Sequence, residues 1–229
     1  MKIIISGASR GLGLSLAKKL CESNQLITFA RGESTFQHPN IKHYAGVDLM
    51  EKKSLECIEH ELADADALVN NVGFAHDGIL ATESLENIEK MIEINLISVF
   101  YLTKAYLRSR LPTCAGGNVI TISSVVSIRG FSGLSVYSAT KGALNSMTTS
   151  LARESGGKGF RFNAVLPGYF DSEMSEGMPA EKKHQIIRRT PLGRLAKTDD
   201  ITPIVEFLLS DNARFITGQL IAVDGGFTC

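Results

Sequence analysis

Cysteine is scarce in this chain of 229 residues, and the four present, Cys21, Cys57, Cys114 and Cys229, are scattered with no C-x-x-C pair. That spacing argues against a disulfide framework and a cysteine-based metal centre, and it fits a reducing cytoplasm, the compartment we expect. Charge of either sign is not in excess. Lys plus Arg and Asp plus Glu number 24 each, so no basic footprint points to nucleic acid or an anionic membrane surface. Long apolar runs are missing too: the start at Ile3 to Ile5 is too short for the apolar core of a leader, and no segment approaches a membrane span. Cys229 lacks the three following residues that a prenylation box needs. No Pro-, Gly- or Ser-rich linker divides the chain, and no tandem repeat is present. With 44% apolar and 21% charged residues there is ample material for one core, and we expect a single domain over 1–229.

What is present is an alternation. Apolar strand-like runs, KIIIS, QLITFA, IKHYAGV, DALVN, NVITIS, FRFNAVLP and QLIAVD, are separated by helical stretches, one of them long, from about Ser84 to Arg110. Seven strands in this rhythm predict a parallel sheet with right-handed crossovers and helices on both faces, a doubly wound α/β domain. Directly after the first strand stands Gly7-Ala8-Ser9-Arg10-Gly11-Leu12-Gly13, opening a helix. Glycines there permit a tight turn and close backbone approach to a pyrophosphate, while the helix start offers free N–H groups and a favourable dipole. The fold class is thus of Rossmann type. Where the second strand ends, an acid would bind the ribose 2′-hydroxyl of NAD; here Phe29-Ala30-Arg31 ends without one. Arg31 and Arg10 together suit a 2′-phosphate, so NADPH/NADP+ is the expected cofactor. The stretch 168–195 is polar, carries Met174, Met178, Pro179 and Pro191, and looks like a substrate-side lid.

The chemistry is written in VYSATKGAL. Tyr137 and Lys141 lie four residues apart on a stretch, Ser135 to Glu154, with apolar helical spacing, so they share a face. A phenol has a pKa of about 10, and Lys141 supplies a positive charge to stabilise its phenolate. Ser124 closes the NVITISS run, placing its hydroxyl at the carboxyl end of a buried strand, where open α/β sheets bind ligands. Asn95 sits mid-helix in IEINLISVF, where its low propensity points to a buried polar role.

Taken in order, these motifs resemble the short-chain dehydrogenase/reductase family over essentially the whole chain. The resemblance implies a catalytic tetrad at Asn95, Ser124, Tyr137 and Lys141, with Asn95 anchoring a water chain. It further implies adenine contact at Asp48-Leu49, and an Asn-Asn-x-Gly at Asn70-Asn71-Val72-Gly73, where Val72 stands in a position usually Ala and should modestly crowd the packing. Pro167-Gly168 with Ser172 would hold the nicotinamide carboxamide, Ser172 standing where Thr is usual, and Tyr137 and Lys141 would also touch the cofactor. GASRGLG, INLISVF, ISSVVS, PGYFDSEM and ITGQ are most similar to 3-oxoacyl-[acyl-carrier-protein] reductases, implying NADPH-dependent reduction of a 3-oxoacyl thioester. Glu176 stands where carrier-docking members often have a base, and a charge of the wrong sign weakens docking. A free small ketone, a polyketide-like intermediate or a sugar therefore stays open as substrate, as does a non-catalytic cofactor-binding relative. Phe74, Ile128, Phe131, Tyr169, Met174 and Met178 are candidates for either pocket or core. Homotetramers or homodimers, and no metal, complete the expectation.

Overall fold

The computed structural model describes residues 1–170 and 179–229. Seven strands form one wholly parallel sheet: β1 Lys2–Ser6, β2 Gln25–Phe29, β3 Ile41–Tyr44, β4 Ala67–Asn70, β5 Gly117–Ile122, β6 Phe160–Pro167 and β7 Leu220–Val223, in the order β3-β2-β1-β4-β5-β6-β7. The β4 residues and most of β1, β5 and β6 are buried, as continuous Ile/Val/Leu runs require when helices cover both faces. On one face α1 Gly11–Leu20 and α7 Thr198–Leu209 enclose Ile3, Ile5, Val69, Ile120 and Val165. On the other, α2 Lys52–Leu62 and α4 Ser98–Arg110 enclose Ile4, Leu68, Val119, Phe160 and Phe162. Alternate residues of one strand thus serve opposite cores.

The sheet's order reverses between β1 and β4, and ligands bind such folds at the carboxyl edge of that crevice. The glycine turn after β1 and Asn71 to Gly73 after β4 both lie there. The third long element is α5 Ser135–Ser155, packed along β6. α3 Leu85–Ile92 precedes α4, and α6 Ala180–Arg189 lies within the stretch expected to form a lid. One long helical stretch is expected from about Ser84 to Arg110. The path is helical throughout, but Glu93–Ile97 between α3 and α4 form a π-turn, a wider winding that often marks a functional position.

Beneath the β1 end, Glu61 joins three elements: its carboxylate meets Lys2 Nζ at 2.7 Å, Lys42 Nζ at 2.8 Å and the Tyr44 hydroxyl at 2.6 Å. Although burial works the other way, those donors hold its carboxyl down to about 2.

Candidate active site

Ser124 and Tyr137 come together through the turn that follows β5. After Ile122 the chain enters a short 3₁₀ turn at Val125–Ser127, with Ser124 as its cap, its hydroxyl accepting from Val126 N at 3.4 Å. The turn is pinned to the start of α5 by Ser138, whose hydroxyl donates to the Val126 carbonyl, and by Ser123, whose hydroxyl donates to the Lys141 carbonyl at 3.1 Å. The result brings the Ser124 hydroxyl close enough to that of Tyr137 to act on it. Neither Ser123 nor Ser138 was singled out from sequence; the repeated serines on both sides of the turn were the available signal.

Lys141 lies one helical turn below Tyr137, 3% exposed, with Nζ donating to the Ile122 carbonyl at 2.8 Å and standing 5.8 Å from the Tyr137 ring centroid. Burial pushes Lys141 down to about 8. Burial also pushes the Tyr137 phenol up to about 12, against the smaller pull of the Ser124 hydroxyl. This departs from the expectation that Lys141 acidifies Tyr137: removal from water dominates both groups and favours the neutral form of each. At neutral pH the phenol is therefore protonated, while Lys141, lowered by burial to about 8, still carries its charge. The pair holds both a proton to give and a cation beside it.

Asn95 occupies the π-turn and is fully buried. Its Oδ1 accepts from Phe74 N at 2.7 Å; its Nδ2 donates to the Phe74 carbonyl at 2.7 Å and to Thr140 Oγ1 at 3.2 Å. Asn95 thus staples the loop after β4 to α5. Gly73 lies against Lys141 Nζ and Asn95 Oδ1, so this loop, the π-turn and α5 converge on one point.

The cofactor candidates gather at the neighbouring switch point. Gly7 N donates to the Phe29 carbonyl at 2.8 Å, and Arg10 in extended conformation leads into α1. Asn71 Nδ2 donates to the carbonyls of Ser6 at 3.2 Å and Gly7 at 3.0 Å, and Asn71 N bonds Ser6 Oγ at 2.9 Å. Its side chain therefore braces the glycine turn. Gly13 sits so close beneath that turn that a Cβ there would stand 2.3 Å from the Gly7 carbonyl oxygen and 2.5 Å from Asn71 Nδ2. A Cβ at Gly7 would stand 3.2 Å from Val72 Cγ2, so glycine there leaves room for the valine. α1 begins without a side-chain cap and without an acid in its first turn, so its leading N–H groups and positive dipole end fit a pyrophosphate. Gly32 adjoins Ser9, so Arg31 and Arg10 come from neighbouring segments, and both are exposed.

The remaining candidates are spread along the same edge. Asp48 is half-buried and its Oδ1 accepts from Met50 N at 3.0 Å, while the Leu49 side chain is buried in the core under β2. Gly168 N donates to the Val223 carbonyl at 2.9 Å, joining the ends of β6 and β7. Ser172, Met174, Glu176 and Met178 lie outside the described residues. Phe131 and Tyr169 pack with Phe227, ring centroids 5.6 to 5.9 Å apart, Phe74 carries Lys90 5.0 Å over its ring, and Ile128 is exposed. A polar hollow of about 590 Å³ lined by Met1, Lys2, Gln25 and Asp66 is at the other end of the strands, away from every one of these groups.

The family model described as enoyl-(acyl carrier protein) reductase matches residues 7–228. The chain belongs to the short-chain dehydrogenase/reductase family. Within it, 3-oxoacyl-[acyl-carrier-protein] reductase FabG of Salmonella typhimurium is 34% identical over 97% of this chain and 95% of its own length. A short-chain dehydrogenase of Leptospira borgpetersenii with bound NAD+ shares the fold, with a TM-score of 0.92 at 23% identity, covering 100% of this chain and 92% of its own. ElxO with NADP bound gives 0.90 at 24% identity, covering 99% and 98%. The fold class and the oxidoreductase family are established by these matches, and the structural neighbours include both NAD- and NADP-bound proteins. No described helix is long and apolar enough to cross a membrane.

Proposed function

We propose that this protein reduces the ketone of a 3-oxoacyl thioester to a secondary alcohol with NADPH. The observation that carries the reading is the buried Lys141, Nζ 5.8 Å from the Tyr137 ring, one helical turn below Tyr137 and beside Ser124 at the carboxyl end of β5. When bound, the nicotinamide dinucleotide supplies the hydride. Ser124 and Tyr137 present two hydroxyls to one ketone oxygen, Ser124 donating to the developing alkoxide as an oxyanion-stabilising group. Tyr137 transfers its proton to that oxygen. Its protonated resting form favours the reductive direction, and the Lys141 ammonium steadies the phenolate left behind. Asn95 keeps the Phe74 loop and α5 in register around these groups. Gly7 to Gly13 with the start of α1 would hold the pyrophosphate, Asp48 the adenine side, Gly168 and Ser172 the nicotinamide side, and Arg10 with Arg31 the 2′-phosphate.

The thioester reading draws on the FabG relative's name and the apolar Phe131, Tyr169 and Phe227 cluster. A free small ketone is the second reading, favoured by Glu176, an acid at the sequence position where carrier-docking relatives often carry a base. Self-association into dimers or tetramers is supported by exposed Phe100 and Tyr101 on α4, Phe207 on α7, Leu220 on the edge strand β7, and a fully exposed Phe215. A cytoplasmic setting is supported by the scattered, unpaired cysteines.

The test is consumption of NADPH or NADH with a 3-oxoacyl thioester, free or on a carrier, and with small ketones. Faster turnover of the thioester with NADPH is expected. Binding of NADPH without turnover of any ketone would refute the enzyme reading, and preference for NADH of tenfold or more would refute the cofactor assignment.

A further inference from the structure

Three segments far apart in sequence meet beside Tyr137, and His76 to Gly78 lie at their junction. His76 Nδ1 stands 3.0 Å from Glu83 Oε2; that carboxylate, 4% exposed, also accepts from Asn87 Nδ2 at 2.9 Å and Ser84 N at 3.1 Å, fastening the loop to the start of α3. Gly78 makes room for it: a Cβ there would lie 2.2 Å from Glu83 Oε2. Gly78 N donates to the Gly133 carbonyl at 2.9 Å, fastening the loop to the run that leads into α5. Between these anchors Asp77 Oδ2 meets Lys182 Nζ of α6 at 3.0 Å.

α6 itself is lightly held. Its buried Ile186 and part-buried Ile187 join a small cluster with Leu195, Phe227, Phe131 and Tyr169, separate from the two cores that flank the sheet. Among the described residues it packs extensively on no other helix or strand. Segments with so few apolar contacts open at low cost. The Gly78 to Gly133 bond lies four residues before Tyr137, and the cluster beneath α6 includes Tyr169, two residues past the carboxyl end of β6, so the ion pair is at the carboxyl edge of the sheet and not on a remote surface.

We propose that Asp77 and Lys182 form a latch that holds α6 over the mouth of the cleft and so discriminates between small ketones and ketones carried on a long thioester arm. The specificity part rests on the ketone-reductase reading above. Both residues act through α6 and are positioning residues. The pair is solvent-exposed, with side chains 61% and 44% accessible, so it biases closed over open by at most about fivefold, a weight suited to repeated opening. A small ketone gains from closure around it, whereas a long arm must leave through the mouth.

Charge reversal tests this. Asp77→Lys and Lys182→Asp each place like charges together, and the double variant restores an ion pair with its sign exchanged. Hydrogen exchange of the amides of residues 180–189, measured without substrate, should quicken about two- to fivefold in each single variant and return in the double. KM for a small ketone should rise about threefold in the single variants with kcat within about twofold, while KM for a 3-oxoacyl pantetheine thioester should not rise, and the double variant should regain the original ratio. Unchanged exchange in the single variants, or no recovery in the double, would overturn the latch. Exchange that responds while both KM values stay put would overturn its role in specificity. If no ketone is turned over at all, the proposed function and with it the specificity role fall, while the exchange rescue still decides whether the latch exists.

Discussion

The two sides of the cleft are held by different kinds of contact. On the cofactor side, Asn71 ties the glycine turn to the β4 end through three hydrogen bonds, Gly13 is pressed beneath it, and the strands below are buried in two cores. On the proposed substrate side, the loop at His76 to Gly78 and the helix α6 meet, among the described residues, through the exposed Asp77 to Lys182 ion pair, beside a small aromatic cluster. The first side has almost no freedom to change without steric conflict, while the second can open for little. On the proposed function, one dinucleotide on the first side and varied ketones on the second, that division is an advantage.

The largest break in this comparison should come from Lys141→Met. Turnover should fall by about 100-fold or more, since the cation that steadies the tyrosinate is gone. Stability should move the other way. The folded pKa of Lys141 is about 8, below its ordinary 10.5, so the cost of burying the ammonium is fully present below pH 8 and fades as pH rises towards 10.5. The ligand-free variant should therefore gain thermal stability relative to the parent at pH 7, offset in part by the unpaired Ile122 carbonyl, and that relative gain should shrink between about pH 8 and pH 10. A melting-temperature difference that is constant over this range would contradict the assignment.

Gly13→Val sharpens the contrast from the cofactor side. Its added carbons would meet backbone and the Asn71 amide, with no flexible neighbour to yield, so we expect a loss of about 1–3 kcal/mol in stability and at least about tenfold weaker NADPH binding. Chemical denaturation and fluorescence titration measure these. A smaller effect should follow Arg31→Ala: the preference for NADPH over NADH should fall about tenfold with NADH kinetics nearly unchanged.

The cofactor side was the more legible in sequence because its determinants are local. Gly7, Gly11 and Gly13 stand within one turn, and the apolar runs that became β1, β4, β5 and β6 are nearly continuous because both sheet faces are covered. The helix carrying Tyr137 and Lys141 was likewise readable from its spacing. What escaped depends on tertiary contact. The π-turn at Asn95 has no local signature; its winding goes with hydrogen bonds to Phe74 and Thr140, 21 and 45 residues away. Burial, which raises the Tyr137 phenol where the sequence pointed to a lowered one, is likewise created only by the assembled fold. Asp77 and Lys182 are 105 residues apart, and neither belongs to a motif.

Turnover by Tyr137→Phe, with NADPH binding measured on the same preparation, tests the central claim most directly. The account predicts a fall in kcat of about 100-fold or more on a 3-oxoacyl thioester, with NADPH affinity within about twofold of the parent. Unchanged turnover in the phenylalanine variant would contradict it.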